Sequence, residues 1–436
     1  MVNREMKDSG VEWVGKIPEE WDIQRLKNIL IERKENNKPQ KTDNILSLMK
    51  DRGVIPYSEK GDVGNKSKTD LTQYKLAYPG DIVLNSMNVI IGSVGLSKYF
   101  GAVSPVYYML RPRNSEYFVE YYNYIFQTKV FQKSLIGYGN GIMEHRMRIP
   151  MNNLNNVLLP IPPGREQQKI AAFLDDKVAH IDNIIEETKK SIENLKAYKQ
   201  SLITDTVTKG LNPNVEMKDS GIEWIGKIPK YWKVEKTKYS YKFNKGLSIT
   251  KADLIDEGIP VINYGEIHSK YGVKFNPEKH IVKKVNPDYK RYNNALLKYG
   301  DVIFADTSED IEGSGNFTTF LGETNCFAGY HTVVLKPIKR NNYIFMTYLF
   351  DSLTYRRQVR NMVQGIKVFS ITQSILKNTY VWLPPIKEQN EIAIYLENKI
   401  PTLDKMISEK EKIIEELKDY KKSLIYEYVT GKKEVK

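Results

Sequence analysis

Two long stretches of the chain carry the same apolar rhythm. From Leu174, residues recur in alternating steps of four and three through Val178, Ile181, Ile185, Thr188, Ile192, Leu195, Lys199 and Leu202. A second run repeats this at an offset of 222, through Leu396, Ile400, Leu403, Ile407, Lys410, Ile414, Leu417, Lys421 and Leu424. Alternating fours and threes put one stripe on one face of an α-helix, the heptad seam of a coiled coil. The same two slots are polar in both copies. The pattern predicts one helix over about 165–207 and a second ending near Val429, each roughly 60–65 Å long at about 1.5 Å per residue. Pro401 stands where the first copy has Ala179, so a kink or restart is expected there. An apolar seam must be covered. Its nearest cover is the other helix, folded back as an antiparallel coiled coil with a pseudo-twofold axis and a globular domain at each end.

The segments between are patterned differently. In 28–158, β-like runs at 44–49, 81–84 and 106–110 are separated by turns at Asp51-Arg52-Gly53, Pro79-Gly80-Asp81 and Arg111-Pro112. Helical spacing over 115–134 puts Phe118, Tyr122, Ile125, Phe126 and Val130 on one face. In 239–380 the β-like runs are 300–305 and 332–335. A helix over 343–363 has Ile344, Tyr348, Leu349, Leu353 and Val359 on or near one face. Each segment reads as an α+β domain.

A repeat frames both. MKDSGVEWVGKIPEEWDIQRLK from Met6 returns as MKDSGIEWIGKIPKYWKVEKTK from Met217, identical at 13 of 22 positions. Such similarity marks a duplicated unit. Both domains exit through prolines, Pro160-Ile161-Pro162-Pro163 and Pro384-Pro385, followed by Glu166-Gln167 or Glu388-Gln389. Proline continues neither a ladder nor a helix interior, so these are rigid boundaries. The expected division is 1–160 (start copy and first domain), 161–210 (central helix), 211–383 (start copy and second domain) and 384–436 (C-terminal helix). The domain interiors match only at scaffold positions such as Gly80-Asp81 and Gly300-Asp301. Like frames with unlike contents suggest two binding modules with different targets.

Charge sharpens this picture. Of the formal net +13, each middle segment holds +6, whereas the helical stretches 165–209 and 387–436 are each neutral. Basic surfaces attract polyanions, with nucleic acid the default partner. Solubility of a Lys-rich chain is the plainer explanation, and charge alone does not separate the two. Cys326 is the single cysteine, which excludes an internal disulfide and fits a reducing cytoplasm. No apolar run approaches a membrane span, and the polar start MVNREMKDSG is unlike a secretory signal.

Catalytic patterns fail on inspection. Gly10 to Lys16 and Gly221 to Lys227 have phosphate-loop spacing, but Ile17 and Ile228 replace the Mg-binding hydroxyl and a proline follows. The four tryptophans of the start copies, Trp13, Trp21, Trp224 and Trp232, read as packing anchors. Asn286-Pro287-Asp288-Tyr289 lacks the second proline of an amino-methyltransferase motif. No Asp/Glu-x-Lys follows it within 30 residues, as a nuclease core would need. Asp306, Glu309, Asp310 and Glu312 read as a solvated loop, with a divalent cation as the alternative. The dispersed histidines pair with no cysteine, so no metal site is expected.

The start SGxEWxGxIPxxW, the exit LPPxxEQxxI, the heptad helix and the duplication together resemble the specificity (S) subunit of type I restriction–modification systems. The resemblance covers the whole chain. It implies two target recognition domains, each reading one half of a bipartite sequence in double-stranded DNA. It also implies helices that set the spacer and dock two modification subunits, and restriction subunits that complete an ATP-dependent nuclease. The chain itself would carry no cofactor or catalytic residue; S-adenosylmethionine, ATP and Mg belong on partner subunits. Arg grips guanine and Asn adenine through paired hydrogen bonds, and loops carry function on rigid frames. The base-reading candidates are therefore Lys50, Arg52, Asn85, Asn88 and the loop 138–148 with Tyr138, Asn140, His145, Arg146 and Arg148. In the second domain they are Asn263, Tyr264, His268, Gln364 and Lys367. The competing classes are a self-contained methyltransferase or nuclease, and a coiled-coil scaffold with protein-binding ends.

Overall fold

The computed structural model describes residues 4–50, 52–62, 66–67, 70–140, 147–365 and 367–435. The chain forms two compact units, Met1–Lys189 with Glu411–Lys436, and Lys190–Lys410. Each contains a start copy, an α+β domain, and parts of both long helices. The helices span Gly164–Lys209 and Ile386–Val429. Pro401 lies inside the second without interrupting it, which corrects the expected restart. The proline is exposed, so the carbonyl left unpaired one turn earlier faces water at little cost.

The two helices run antiparallel in both units. In the first, Lys421 Nζ donates to both carboxylate oxygens of Asp182 at 2.7 Å, and the rings of Phe173 and Tyr428 lie 4.5 Å apart. In the second, Lys199 Nζ donates to Asp404 at 2.5 Å, while Ile203 and Val207 share a core with Ile392, Leu396, Ile400 and Leu403. A shift of 222 along the helices turns the first pair into the second with donor and acceptor exchanged. The polar slots at Lys199 and Lys421 thus make cross-helix ion pairs. Half-exposed pairs of this kind add little stability but favour one register. Leu174, Ile181, Ile185, Ile192, Leu396, Leu403, Ile407, Ile414 and Leu424 are buried; Leu195, Leu202 and Leu417 are partly so.

The start copies explain their own sequence. Met6–Asp8 pairs with Lys16–Pro18, and Met217–Asp219 with Lys227–Pro229, as small hairpins. The glycines of the apparent phosphate loop, Gly10, Gly15, Gly221 and Gly226, have φ of 65 to 76°, where a Cβ is disfavoured. Their spacing is turn geometry. The next strand, Asp22–Arg25, pairs antiparallel with the exit strand Leu158–Ile161; Lys233–Lys236 pairs likewise with Tyr380–Leu383. Entrance and exit of each domain are therefore zipped together, and the unlike domain interiors hang from this closed neck.

The residues after the exit lock it. Trp21 and Trp232 are almost fully buried and donate Nε1–H to Glu166 at 2.9 Å and Glu388 at 3.1 Å. Gln167 and Gln389 each donate to a carbonyl of the exit, Pro162 or Pro384, and accept from the domain's first helix region, Phe118 N or Asn342 N. The far end of each helix closes on the other half's start copy. Val207 O accepts from Trp382, and Gly210 lies against Trp232. Val429 O accepts from Tyr121, and Gly431 lies against Pro18 and Trp21.

Within each domain the central strands follow one order. In the first it is Leu30–Glu32, Tyr107–Pro112, Ile82–Asn85, Val94–Leu96. In the second it is Tyr241–Lys245, Thr332–Pro337, Val302–Ala305, Phe317–Phe320, with Lys274–Phe275 added at the edge. The helices expected over 115–134 and 343–363 are each broken. They become Val119–Gln127 and Lys129–Ser134, and Tyr343–Asp351 and Leu353–Met362. Thr128 and Ser352 are extended, with hydroxyls bonded back to Ile125 and Leu349 carbonyls. The break resets the helical phase. Val130 and Leu353, expected on the buried face, are exposed, and Phe131 and Tyr355 take the core.

Candidate nucleic-acid interface

Both domains hang a loop of unlike sequence from one framework point. The strand Ile82–Asn85 ends at Ser86, whose carbonyl accepts from Ile149 N at 3.0 Å. The strand Val302–Ala305 ends at Asp306, whose carbonyl accepts from Ile371 N at 2.7 Å. Immediately before these contacts, each loop is pinched by an antiparallel bridge, Asn140 with Arg148 and Gln364 with Ser370. The loop expected from 138 to 148 and the region from Gln364 to Lys367 are thus structural counterparts.

In the first domain, Asn140 and Arg148 are exposed and face each other across the bridge, with N–O distances of 2.8 and 3.2 Å. His145 and Arg146 lie outside the described residues. Tyr138 is half-buried, and its carbonyl accepts from Asn153. Asn85 turns its side-chain oxygen onto Met87 N at 3.0 Å, and Asn88, the next residue after Met87, is exposed. The link between Ile149 and Ser86 brings these asparagines beside the Asn140–Arg148 loop. Lys50 is exposed. Arg52 donates to the carbonyl and carboxylate of Glu59 at 2.9 and 3.2 Å, so its guanidinium is engaged. Their hairpin reaches the sheet through Gly53, where a Cβ on Gly95 would stand 2.8 Å from the Gly53 Cα.

In the second domain, Gln364 and Lys367 are exposed on a hairpin bonded to Thr307–Ser308. His268 is bonded to Thr307, on the strand that pairs with this hairpin. Its Nε2–H donates to Thr307 O at 2.8 Å and its Nδ1 accepts from Asn316 at 3.0 Å, so both ring nitrogens are spent inside the domain. Tyr264 is half-buried against His268, Tyr330 and His331. Asn263 is fully buried against Gly329 and is corrected to a core residue. Asn263 heads the short helix Tyr264–Ser269 and receives Glu266 on its backbone N–H at 3.0 Å, so the Asn that looked like a reader starts a helix. The acidic loop is tied internally: Asp306 to His331 at 3.1 Å and Glu312 to Arg360 at 2.9 Å, with Asp310 accepting from Gly313 N. Among the described residues no group of carboxylates, histidines or cysteines is placed to hold a metal ion.

The shared Gly-Asp turn fixes the strand that leads to each loop. Gly80 and Gly300 sit at φ of 86 and 90°. Asp81 pairs with Arg33 at 2.8 Å, and Asp301 lies 3.8 Å from Lys336. Burial pushes the Asp301 carboxyl up to about 6, against the opposing pull of Lys298 N–H and the Lys336 charge. A carboxyl raised in the folded state favours folding once protonated, so this contribution is present at low pH and is lost as pH rises through about 6. Melting of the wild type and Asp301→Asn between pH 7.5 and 4.5 should therefore diverge. The wild type should gain about 2 kcal/mol relative to the variant by pH 4.5; parallel profiles would contradict the assignment.

A family model described as the type I restriction modification DNA specificity domain matches this chain twice, over residues 18–194 and 229–419. The chain belongs to this family. Each match takes in a strand–strand neck, an α+β domain and most of a long helix. Among curated relatives, the MjaX type I restriction enzyme specificity subunit of Methanocaldococcus jannaschii is 28% identical over 446 residues, covering 97% of this chain and 96% of that protein. The MjaVIII specificity subunit of the same organism is 25% identical, covering 97% and 95%. A structure described under complex assembly and conformational transition of the type I restriction–modification system aligns with TM-score 0.71 at 13% identity, covering 95% and 98%. The HsdS subunit from Thermoanaerobacter tengcongensis aligns with TM-score 0.52 at 14% identity, with the same coverage. The protein is a DNA specificity subunit with two specificity domains for a bipartite target. Among the described residues, no helix is long and apolar enough to cross a membrane.

Proposed function

We propose that this specificity subunit is a non-catalytic reader that places partner enzymes on a split DNA site. One observation carries the proposal: the same neck and framework point hold loops of different sequence in the two domains. A shared frame serves a shared task, and different loops serve different bases. Asn85, Asn88, Asn140 and Arg148 face one half-site, and His145 and Arg146 stay candidates on sequence alone. Tyr264, Gln364 and Lys367 face the other. Phosphate contacts from the +6 domains supply affinity, and base-edge contacts supply sequence.

The helices keep the two readers at one spacing, and each docks one modification subunit. Support for docking lies in the solvent-facing residues that both helices retain. Lys190, Tyr198 and Ser201 match Lys412, Tyr420 and Ser423 at the 222 offset, and all six are exposed. Packing does not require an exposed tyrosine, 57% and 55% accessible at the two positions, to recur. S-adenosylmethionine is bound by the modification subunits, ATP and Mg by restriction subunits, and the assembly is cytoplasmic.

The test is a map of methylated bases across the genome of cells carrying this subunit with its modification partner. The expected result is one target made of two short specified blocks separated by an unspecified spacer of fixed length. A continuous target would refute the two-reader account.

A further inference from the structure

His331 is the one non-glycine residue with positive φ among the described residues, at 55°. Such a backbone is strained for a residue with a Cβ and persists where its surroundings over-determine it. They do so here. His331 O accepts from Asp306 N at 3.0 Å, and Asp306 Oδ1 takes Nδ1 of the ring at 3.1 Å. Thr332 closes the turn onto Gly329 O at 2.7 Å, and Tyr264 and Tyr330 flank the imidazole at 5.2 and 5.9 Å. With all this support the ring is still 55% accessible. One nitrogen is committed to Asp306, and Nε2 is bonded to no group of the described chain. A strained backbone and a braced but open ring are an unusual expense for a surface residue with no ligand. The turn also borders a cavity of about 550 Å³ that reaches Lys245 and the strand Phe369–Ser370, which carries the Gln364–Lys367 hairpin.

The position has a counterpart in the first domain. Thr332 faces Ala305 across the central pair, as Tyr107 faces Asn85. His331 and Asp306 therefore correspond to Val106 and Ser86. Ser86 holds Val106 by donating to its carbonyl at 3.1 Å, and the Val106 side chain is also open to solvent. Two neighbouring framework positions thus present a polar, braced imidazole in one domain and a bare apolar group in the other. Both stand at the point from which the divergent loops hang.

We propose that residue 331 with its brace Asp306, and residue 106 with Ser86, are the base-discriminating positions at the centre of each reader. The proposal rests on the two-reader function above. An imidazole nitrogen offers a hydrogen bond to a base edge in the major groove, and a valine offers contact to a thymine methyl.

Methylated sites would be mapped genome-wide for the wild type, His331→Gly and Val106→Ala, each expressed with the modification partner. Glycine accepts the left-handed backbone, so His331→Gly removes the ring without disturbing the turn; an unchanged melting temperature of the purified subunit checks this. His331→Gly is expected to relax base preference about tenfold or more at one position of one half-site, leaving the other half-site as in the wild type. Val106→Ala should relax only the other half-site. An unchanged target, or a uniform fall in methylation with no change in base preference, overturns the proposal. A wild-type target that is not split would instead sink the two-reader function itself.

Discussion

Replacing Trp232 with alanine is expected to destabilise the second unit by about 3–5 kcal/mol. The indole is 1% exposed and sits in the core that also contains Ile203, Val207, Trp382, Leu396 and Phe345. Its removal leaves a cavity bounded by the end of one helix and the start of the other. It also strips Glu388 of the indole N–H that anchors it at 3.1 Å. The loss is thus a transfer and cavity penalty together with a weakened lock on the neck. Denaturant unfolding of the purified chain should show the transition of the second unit moving to lower concentration while that of the first stays in place. Trp21→Ala should do the reverse, because Trp21 is buried and bonded to Glu166 in the same way. A loss below about 1 kcal/mol from either change would show that the start copy is an appendage and not the clasp of its domain.

Much of this clasp was legible in the sequence because duplication wrote it twice. Glu166-Gln167 and Glu388-Gln389 stood out as matched pairs, as did the four start-copy tryptophans. The structure adds why: the carboxylate holds the indole, and the amide ties exit to domain. Trp13 is buried against Phe131, with ring centroids 5.0 Å apart, whereas Trp224 is only partly buried. The long helices were legible because a heptad seam is a periodic signal that many residues share. Other features were hidden for physical reasons. Nothing at Thr128 or Ser352 resembles a helix stop, since neither is Gly or Pro; an extended residue with its hydroxyl folded back ends one helix and begins the next. Lys199 and Lys421 read as flaws in the seam until their partners appeared on the other helix, 205 and 239 residues away in sequence.

The reading surface was the least legible. Gln364 and Lys367 read as the region corresponding to the loop 138–148, and each loop is pinched by a bridge, Gln364 with Ser370 and Asn140 with Arg148. Asn263 and His268 have the right chemistry for reading bases, but Asn263 is buried against Gly329, and Thr307 and Asn316 take both ring nitrogens of His268. His331 gave no signal at all, because a left-handed histidine is visible only in backbone coordinates.

The second large effect concerns the cassette. The segment 26–157 lies between the paired strands Asp22–Arg25 and Leu158–Ile161, and 237–379 lies between Lys233–Lys236 and Tyr380–Leu383. Because each neck is a closed antiparallel pair of four-residue strands, a domain should be exchangeable at these points without altering start copies, exits or helices. A chain in which 26–157 is replaced by a copy of 237–379 keeps both necks and both helices, and carries the same reader twice. Mapping the methylated sites of cells that express this chimera with the modification partner tests the central claim most directly. The account predicts a split target whose two blocks specify the same bases, both those of the wild-type half-site assigned to the second domain, with the spacer length unchanged. A chimera that folds and methylates, yet retains the wild-type first block or changes both blocks together, would contradict the claim that each domain reads its own half of the site.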